Sequence, residues 1–465
     1  MAVETYQNLV IGSGEAGKIL AWNLAKLGQT TAVVERSMIG GSCPNVACLP
    51  SKNVIYSAKA VSLVDPQRGL GVVSGSPRVD MAGVARRKRQ MIDGLIELHL
   101  GYFKASGAEL VMAEARFTEP KTFEVALNAG GTRRLRGERV FLNVGTRATI
   151  PDVPGLAAAH PMTHVEALNL EQLPEHLVIL GGGYVGLEFA QAMRRFGSRV
   201  TIVQRGRRLL DREDPDVADA VLDLMRDEGI EVLLQATVDH VSGHSGAQVA
   251  LAIRAGSRSR TVEATDILVA AGRTPNTDRL DAAQGGVQLD ARGFIQVNER
   301  LQTSAPDVWA TGDGAGSPMF THVGFDDFRV VLDNLNGGSR TTTGRLIPYC
   351  LFTDPELAHV GLGETDARVK QIPYRIVRLP MALVLRTRTL SQTRGFMKAL
   401  IGADDQILGF TAFGAEASEA MAVVQTAMLA RMPYTALRNA IFTHPTTAEG
   451  LVALFSQPPT APDSN

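Results

Sequence analysis

Apolar and polar positions fall into blocks along this chain, and two of the blocks repeat one another. Residues 6–36, YQNLVIGSGEAGKILAWNLAKLGQTTAVVER, run from an apolar stretch through spaced glycines into a helical pattern, then through a glycine turn into a second apolar stretch. Residues 175–205, EHLVILGGGYVGLEFAQAMRRFGSRVTIVQR, do the same. A short apolar run that switches to a 3.6-residue period and back predicts strand, helix, strand. Each half closes on a β-rich run ending near glycine, ERVFLNVGT (138–146) and DILVAAGRT (266–274). The pattern predicts an α/β chain with two Rossmann-type nucleotide-binding domains, one inserted in the other. The expected limits are 1–148 for the first part of the outer domain, 149–273 for the insert and 274–338 for the resumed outer domain. After the link NGGSRTTTG (336–344), the strand-like FMKALIG and ILGFTAFG and the helical SEAMAVVQTAMLA predict an α+β unit over 339–455. The Pro-rich polar tail, 456–465, is expected to be disordered.

The glycines give the two repeats a chemical meaning. In GSGEAG they are Gly12, Gly14 and Gly17, and in GGGYVG they are Gly181, Gly183 and Gly186. The first permits the tight turn, the second lets backbone approach a pyrophosphate, and the third lets helix and strand pack closely. The phosphates then face a helix N-terminus, whose free N–H groups favour anions. Eighteen residues past Gly17 stands Glu35, placed to hydrogen-bond an adenosine ribose, which suits FAD. The matching position after Gly186 is Gln204, followed by Arg205, Arg207 and Arg208. A carboxylate there would repel a 2′-phosphate and arginines would pair with one, so NADPH is expected over NADH.

Composition narrows the class further. The 465 residues include 46 glycines, consistent with several domains and many tight turns. A net charge of −1 gives no electrostatic case for nucleic acid or an acidic membrane. The densest basic run, ARRKRQ (85–90), reads as the solvated face of a helix. No apolar run is long enough to span a membrane, the start lacks a secretory pattern, and three cysteines make a disulfide framework unexpected. A cytoplasmic protein is expected.

Two of those cysteines, Cys43 and Cys48, sit together in GGSCPNVACLPSKN (40–53). Three readings stand open: a structural pair, half of a metal site, or a redox-active dithiol. The metal reading needs two more ligands, and the remaining Cys350, in the strand-like LIPYCLF, reads as a small buried hydrophobe. The redox reading needs an electron donor nearby, and the pair follows a dinucleotide-binding unit by a few residues. It also opens a helical segment whose N-terminus favours a thiolate, with Lys52 close by.

GGSCPNVACLPSK resembles the active-site signature of the class I pyridine nucleotide-disulfide oxidoreductases, which include dihydrolipoamide dehydrogenase, glutathione reductase and mercuric reductase. The resemblance extends to TSAPDVWATGDGAG (303–316), SPMFTH (317–322), AAGRTPN (270–276), FTDPELAHVG (352–361) and FTHPTTAEG (442–450). It implies that NADPH reduces FAD and that the flavin passes electrons to a Cys43–Cys48 disulfide. Cys48 would be the thiol facing the flavin and Cys43 the interchange thiol. Lys52 and Glu188 would form the ion pair beside the flavin, and Tyr184 would cover the nicotinamide pocket. Asp313 would hold the ribityl chain, and Met319, Thr321 and His322 would line the flavin. The resemblance also assigns Ala115 and Gly145 to the flavin and Val238 and Gly272 to the nucleotide. His444 would be the general acid–base, oriented by Glu449 and supplied by the second subunit, so 339–455 would be a dimerisation domain and the protein a homodimer. Such a pair suits thiol–disulfide exchange, which needs a thiolate attacker and a protonated leaving group.

The acceptor is less defined. The chain lacks the vicinal C-terminal cysteines of mercuric reductase and keeps His444. Gln204 departs from the acid usual in dihydrolipoamide dehydrogenase. LRNAIFTHPTTAEGLVALF and FTHVGFDDFRVV resemble the mercuric-reductase-like branch, which includes a reactive-chlorine-resistance Cu(II) reductase. Three functions therefore compete: a disulfide reductase, a metal-ion (Cu(II) or Hg(II)) or quinone reductase on the same scaffold, and a flavin-bound redox sensor with little turnover. The complete acid–base set weighs against the sensor.

Overall fold

The computed structural model describes residues 2–64, 70–71 and 78–462. Strand Val3–Ile11 lies between Thr31–Glu35 and Thr132–Leu142, parallel to both, and Val308–Ala310 extends the sheet beyond Thr132–Leu142. Strand Glu109–Glu119 pairs in parallel with Thr31–Glu35 and then turns back through Thr122–Leu127 to Thr132–Leu142. Helix Glu15–Lys26 packs Leu20, Ala21 and Leu24 against Val10, Val33 and Phe141. Strand Thr31–Glu35 is buried at all five positions, the signature of a strand covered on both faces.

The second sheet repeats this logic. Its four parallel strands run in the order Asp266–Val269, His176–Leu180, Arg199–Val203, Glu231–Leu233. A three-stranded meander, Ala236–His244, Gln248–Ala255 and Arg258–Ala264, packs beside it. The chain leaves the first sheet through Thr146–Ala148 and returns through Arg273–Pro275, and these two short strands pair antiparallel, so the second unit is inserted in the first.

The C-terminal unit is a five-stranded antiparallel sheet, ordered Tyr349–Leu351, Glu356–Gly361, Ile407–Gly414, Phe396–Ile401, Arg375–Pro380. Helix Ala417–Leu429 covers it, burying Ala417, Ala420, Met421, Val424 and Ala427 at helical spacing. Among the described residues, no helix is long and apolar enough to cross a membrane.

Two expectations need correction. The basic run does lie on helix Met81–Ser106, but Lys88 is buried and donates to Leu168 O at 2.8 Å and Asn169 Oδ1 at 2.6 Å. It caps a carbonyl of a neighbouring element instead of facing solvent. The tail is pinned as far as Thr460, which exchanges backbone hydrogen bonds with Ile376, while 463–465 lie outside the described residues.

Candidate active site

The cysteine loop is shaped by backbone that only glycine adopts freely. Gly41 has φ +80°, and a Cβ there would fall 2.5 Å from Gly14 Cα, so the loop rests directly on the first glycine fingerprint. Asn45 Nδ2 donates to Ile39 O at 3.0 Å and Gly41 O at 2.7 Å, closing the turn. Cys43 lies in the short helix Ser42–Val46, and Cys48 opens helix Cys48–Leu63.

Both thiols are free and partly buried. Cys48 Sγ lies 3.2 Å from Thr321 Oγ1. The Cys43 thiol donates to Cys48 and, with Thr321 and the Lys52 charge, pulls the Cys48 pKa down to about 6 against the effect of burial. Cys43, as the donor to that sulfur and itself desolvated, is held well above the ordinary thiol range. In the reduced pair, negative charge therefore resides on Cys48 and the proton on Cys43.

Lys52 stands one helical turn beyond Cys48, on the same face. Its Nζ donates to Glu188 Oε2 at 2.8 Å and lies 4.8 Å from the centre of the Phe352 ring. Glu188 is buried, and its other oxygen accepts Phe352 N at 3.0 Å. Glu188 belongs to helix Tyr184–Phe196, at the second glycine fingerprint, so the ion pair joins the helix that Cys48 opens to the inserted unit.

Around the first glycine fingerprint lies a set of fixed donors and acceptors. Glu35 accepts from Ser13 N and Oγ and from Ser37 and Met38 N–H, which fixes its carboxylate at the strand end. Helix Glu15–Lys26 begins at Gly14, which supplies no side-chain cap, leaving the Glu15 and Ala16 N–H groups free for an anion while Gly17 N–H is taken by Asn143. Gly12 has φ +98°, and a Cβ would meet Asn143 O at 2.2 Å. Asn143 in turn accepts Gly17 N–H and donates to Thr311. Asp313 accepts Thr146 Oγ1 at 2.8 Å. The fully buried Asp327 accepts Gly312 N–H at 2.7 Å, Ser317 Oγ at 2.8 Å and Arg345 Nη1 at 2.7 Å. These residues fit a dinucleotide: an uncapped helix start, a fixed carboxylate and a glycine-lined approach. Thr321 and His322 follow the same segment, with Met319 half exposed and His322 Nε2 2.8 Å from Pro348 O. Ala115 lies on strand Glu109–Glu119, and Gly145 adopts φ +64° with open space beyond its Cα.

Around the second fingerprint, Gln204 is buried and accepts Gly182 N–H at 3.1 Å, while its Nε2 donates to Asp211 Oδ2 at 3.1 Å. Asp211 went unnoticed in the sequence because it lies beyond the arginines. Arg205 and Arg207 are exposed, with no ion-pair partner among the described residues, and Arg208 pairs with Asp219 at 3.4 Å. Tyr184 Oη donates to Glu213 Oε1 at 2.8 Å. Val238 lies on Ala236–His244, and Gly272 has φ +128°.

His444 and Glu449 stand apart from the cysteines. His444 Nδ1 is 3.0 Å from both carboxylate oxygens of Glu449, and the imidazole is 62% exposed. The site missed by sequence reasoning is an ion cluster. The fully buried Lys398 donates at 2.9 Å to each of Asp214, Asp216 and Glu364. Those three carboxylates have the spacing of a metal site, but the ammonium already occupies its centre.

Comparison with known proteins agrees with this geometry. The sequence pattern of the pyridine nucleotide-disulphide oxidoreductases matches residues 6–327, and that of their dimerisation domain matches 347–455. The chain belongs to this family. The probable pyridine nucleotide-disulfide oxidoreductase RclA of Escherichia coli is 34% identical over 97% of this chain and 99% of its own length. A mercuric reductase of Acidithiobacillus ferrooxidans is 34% identical over 95% of this chain and 80% of its own. The structure of the Cu(II) complex of the HOCl-induced flavoprotein disulfide reductase RclA from E. coli superposes with a TM-score of 0.89, covering 97% of this chain and 99% of that one. This chain is accordingly a flavoprotein disulfide oxidoreductase with a C-terminal dimerisation domain, from a family that uses FAD and a pyridine nucleotide. His444 and Glu449 fall within that domain.

Proposed function

We propose that this protein is an NADPH-dependent reductase that passes electrons through Cys43 and Cys48 to a small disulfide. The observation that carries the reading is the setting of the dithiol: Cys48 Sγ lies 3.2 Å from Thr321 Oγ1 and one helical turn before the Lys52–Glu188 pair, with the Cys43 thiol beside it, a setting that favours negative charge on Cys48. FAD, when bound, would supply two-electron transfer between the nicotinamide and the Cys43–Cys48 disulfide. Glu35 and Asp313 would hold the dinucleotide, and Thr321, His322 and Met319 would line its ring.

The chain's own residues would then do the exchange chemistry. The partner subunit's His444, oriented by its glutamate, would take the Cys43 proton. Cys43 Sγ would attack one sulfur of the substrate, breaking its S–S bond and forming a mixed disulfide. The imidazole would return the proton to the leaving thiolate. Cys48 would next attack Cys43 Sγ, restoring the internal disulfide and releasing the second thiol, which takes a proton from solvent. Lys52 would stabilise the Cys48 thiolate at each turn.

A second reading, reduction of a metal ion by the same dithiol, is supported by the likeness to RclA, whose Cu(II) complex has been solved. Anaerobic titration with NADPH tests the dithiol route for both. Wild type is expected to develop long-wavelength thiolate-to-flavin absorbance that Cys48→Ala lacks. Direct bleaching of the flavin in both proteins would remove the cysteines from the path.

For the nucleotide, Arg205 and Arg207 support NADPH, while Asp211 is the feature that favours NADH by repelling a 2′-phosphate. Stopped-flow reduction is expected to be far faster with NADPH. Equal rates, or faster reduction by NADH, would overturn the preference.

A further inference from the structure

We infer that Glu213 is a positioning residue that latches the Tyr184 ring shut and sets how readily nicotinamide enters. The inference rests on the reading of Tyr184 as the cover of the nicotinamide pocket. Tyr184 is held at two points. Its hydroxyl donates to Glu213 Oε1 at 2.8 Å, and its ring meets the Tyr349 ring edge-on at 5.9 Å. Tyr349 stacks at 6.0 Å on Phe320, within the segment that would line the flavin, and at 4.9 Å on His359 of the C-terminal sheet. Tyr349 therefore backs the lid with a wall that belongs to the dimerisation domain.

The carboxylate end of the latch is also fixed. Glu213 is 9% exposed. The next residue, Asp214, accepts Glu364 N–H at 2.9 Å, Thr365 N–H at 2.8 Å and Lys398 Nζ at 2.9 Å. A fully buried ammonium held by three carboxylates has nowhere else to go, since losing any partner leaves charge unpaired away from water. Glu213 is thus anchored by its neighbour to the dimerisation domain, while Tyr184 sits at the start of its helix. The Tyr349 hydroxyl shares the same carboxylate and also hydrogen-bonds to the Tyr184 hydroxyl, and the cavity beside Glu213, Tyr349 and His359 measures about 10 Å³, room for a single water. Burial, with the Glu213 charge, keeps the Tyr184 phenol protonated and so a donor.

The consequence is thermodynamic. For nicotinamide to displace the ring, one hydrogen bond to a charged acceptor must break, and that cost is subtracted from nucleotide affinity. It applies to the nicotinamide half alone. A hydroxyl satisfied by a carboxylate merely for stability would carry no such selectivity.

The test compares holoenzyme affinities, by calorimetry, for NADP+ and NAD+ against their nicotinamide-free fragments 2′-phospho-ADP-ribose and ADP-ribose. Tyr184→Phe keeps the ring and removes the donor. It is expected to raise affinity for the better whole nucleotide by about tenfold to a hundredfold and to leave its fragment unchanged. Glu213→Gln keeps a neutral acceptor and should give a smaller rise, and the double variant should not exceed Tyr184→Phe alone. An unchanged ratio of whole nucleotide to fragment in Tyr184→Phe overturns the latch. Tyr184→Ala separates the two readings: if it moves the ratio while Tyr184→Phe does not, the cover stands without a latch. If neither moves it, Tyr184 is not a cover.

Discussion

Lys52 Nζ lies 2.8 Å from Glu188 Oε2, and this contact ties the helix that begins with Cys48 to the helix that begins with Tyr184. The lysine is 34% exposed and the glutamate 6%, so the carboxylate is the partner that depends on the pair. The same ammonium lowers the Cys48 pKa, after the larger effect of the Cys43 thiol. The arrangement gives a pH signature. Cys48 titrates at about 6, below the ordinary thiol, so its thiolate is present above that pH and lost on acidification through it. Long-wavelength absorbance of the two-electron-reduced protein should therefore fall with a midpoint near pH 6. Lys52→Met should move that midpoint upward, because one stabilising charge is gone. A midpoint unmoved in Lys52→Met would show that the ammonium does not act on Cys48.

The sequence made the two dinucleotide units legible because their signals are local: glycines at fixed offsets, apolar runs and a carboxylate at a strand end. Cys43, Cys48 and Lys52 were legible for the same reason, within one loop and one turn of helix. What escaped was long-range. Thr321 was expected at the flavin, but its contact with Cys48 crosses 273 positions of the chain. Lys398 sits in FMKALIG, which reads as an ordinary strand, and its three carboxylates come from two distant segments. Lys88 looked solvated because Arg87 and Arg89 beside it are, yet the helical period turns it inward with Ala85, three positions earlier.

Asp327 should govern retention of the flavin without touching the cysteines. It is fully buried, and burial raises its pKa, opposed by the hydrogen bonds from Gly312 N–H, Arg345 and Ser317. Through Gly312 it sets the turn that carries Asp313. Asp327→Asn replaces one of two acceptor oxygens with a donor and leaves Arg345 with Asp326 alone as its counter-charge. The expected outcome is a protein that loses FAD on gel filtration at moderate urea, where wild type keeps it. Retention equal to wild type would place control of the turn elsewhere.

Lys398→Met should be among the most destabilising single changes in the C-terminal sheet. Burial alone would raise the Asp214 pKa, but Lys398, joined by the Thr365 and Glu364 N–H groups, holds it down to about 2. Removing the ammonium leaves the buried Asp214 without a cation, and Asp216 and Glu364 with only the more exposed Arg378 and Arg368. The loss expected from breaking such a buried cluster is about 3–5 kcal/mol, read as a lower midpoint in urea unfolding. Asp214→Asn in the Lys398→Met background should recover part of that loss, because the stranded buried charge is gone. No recovery would mean that packing, not charge, fixes Lys398.

His444 offers the most direct test of a shared site. It is 62% exposed, paired with Glu449, and hydrogen-bonded to neither cysteine. Three residues before it, Ile441 exposes its whole side chain, as expected of a residue that another subunit covers. Cys43→Ser and His444→Ala homodimers should each be inactive toward a disulfide. Mixed dimers of the two retain one site with both an intact Cys43 and an intact His444, if the histidine acts across the interface. Random reassortment makes about half of the dimers mixed, each with one of two sites restored, so activity should return to about a quarter of wild type. If the histidine serves the cysteines of its own chain, every site in the mixture carries a defect and no activity returns. The measurement is the NADPH-dependent turnover of the co-refolded mixture beside each parent.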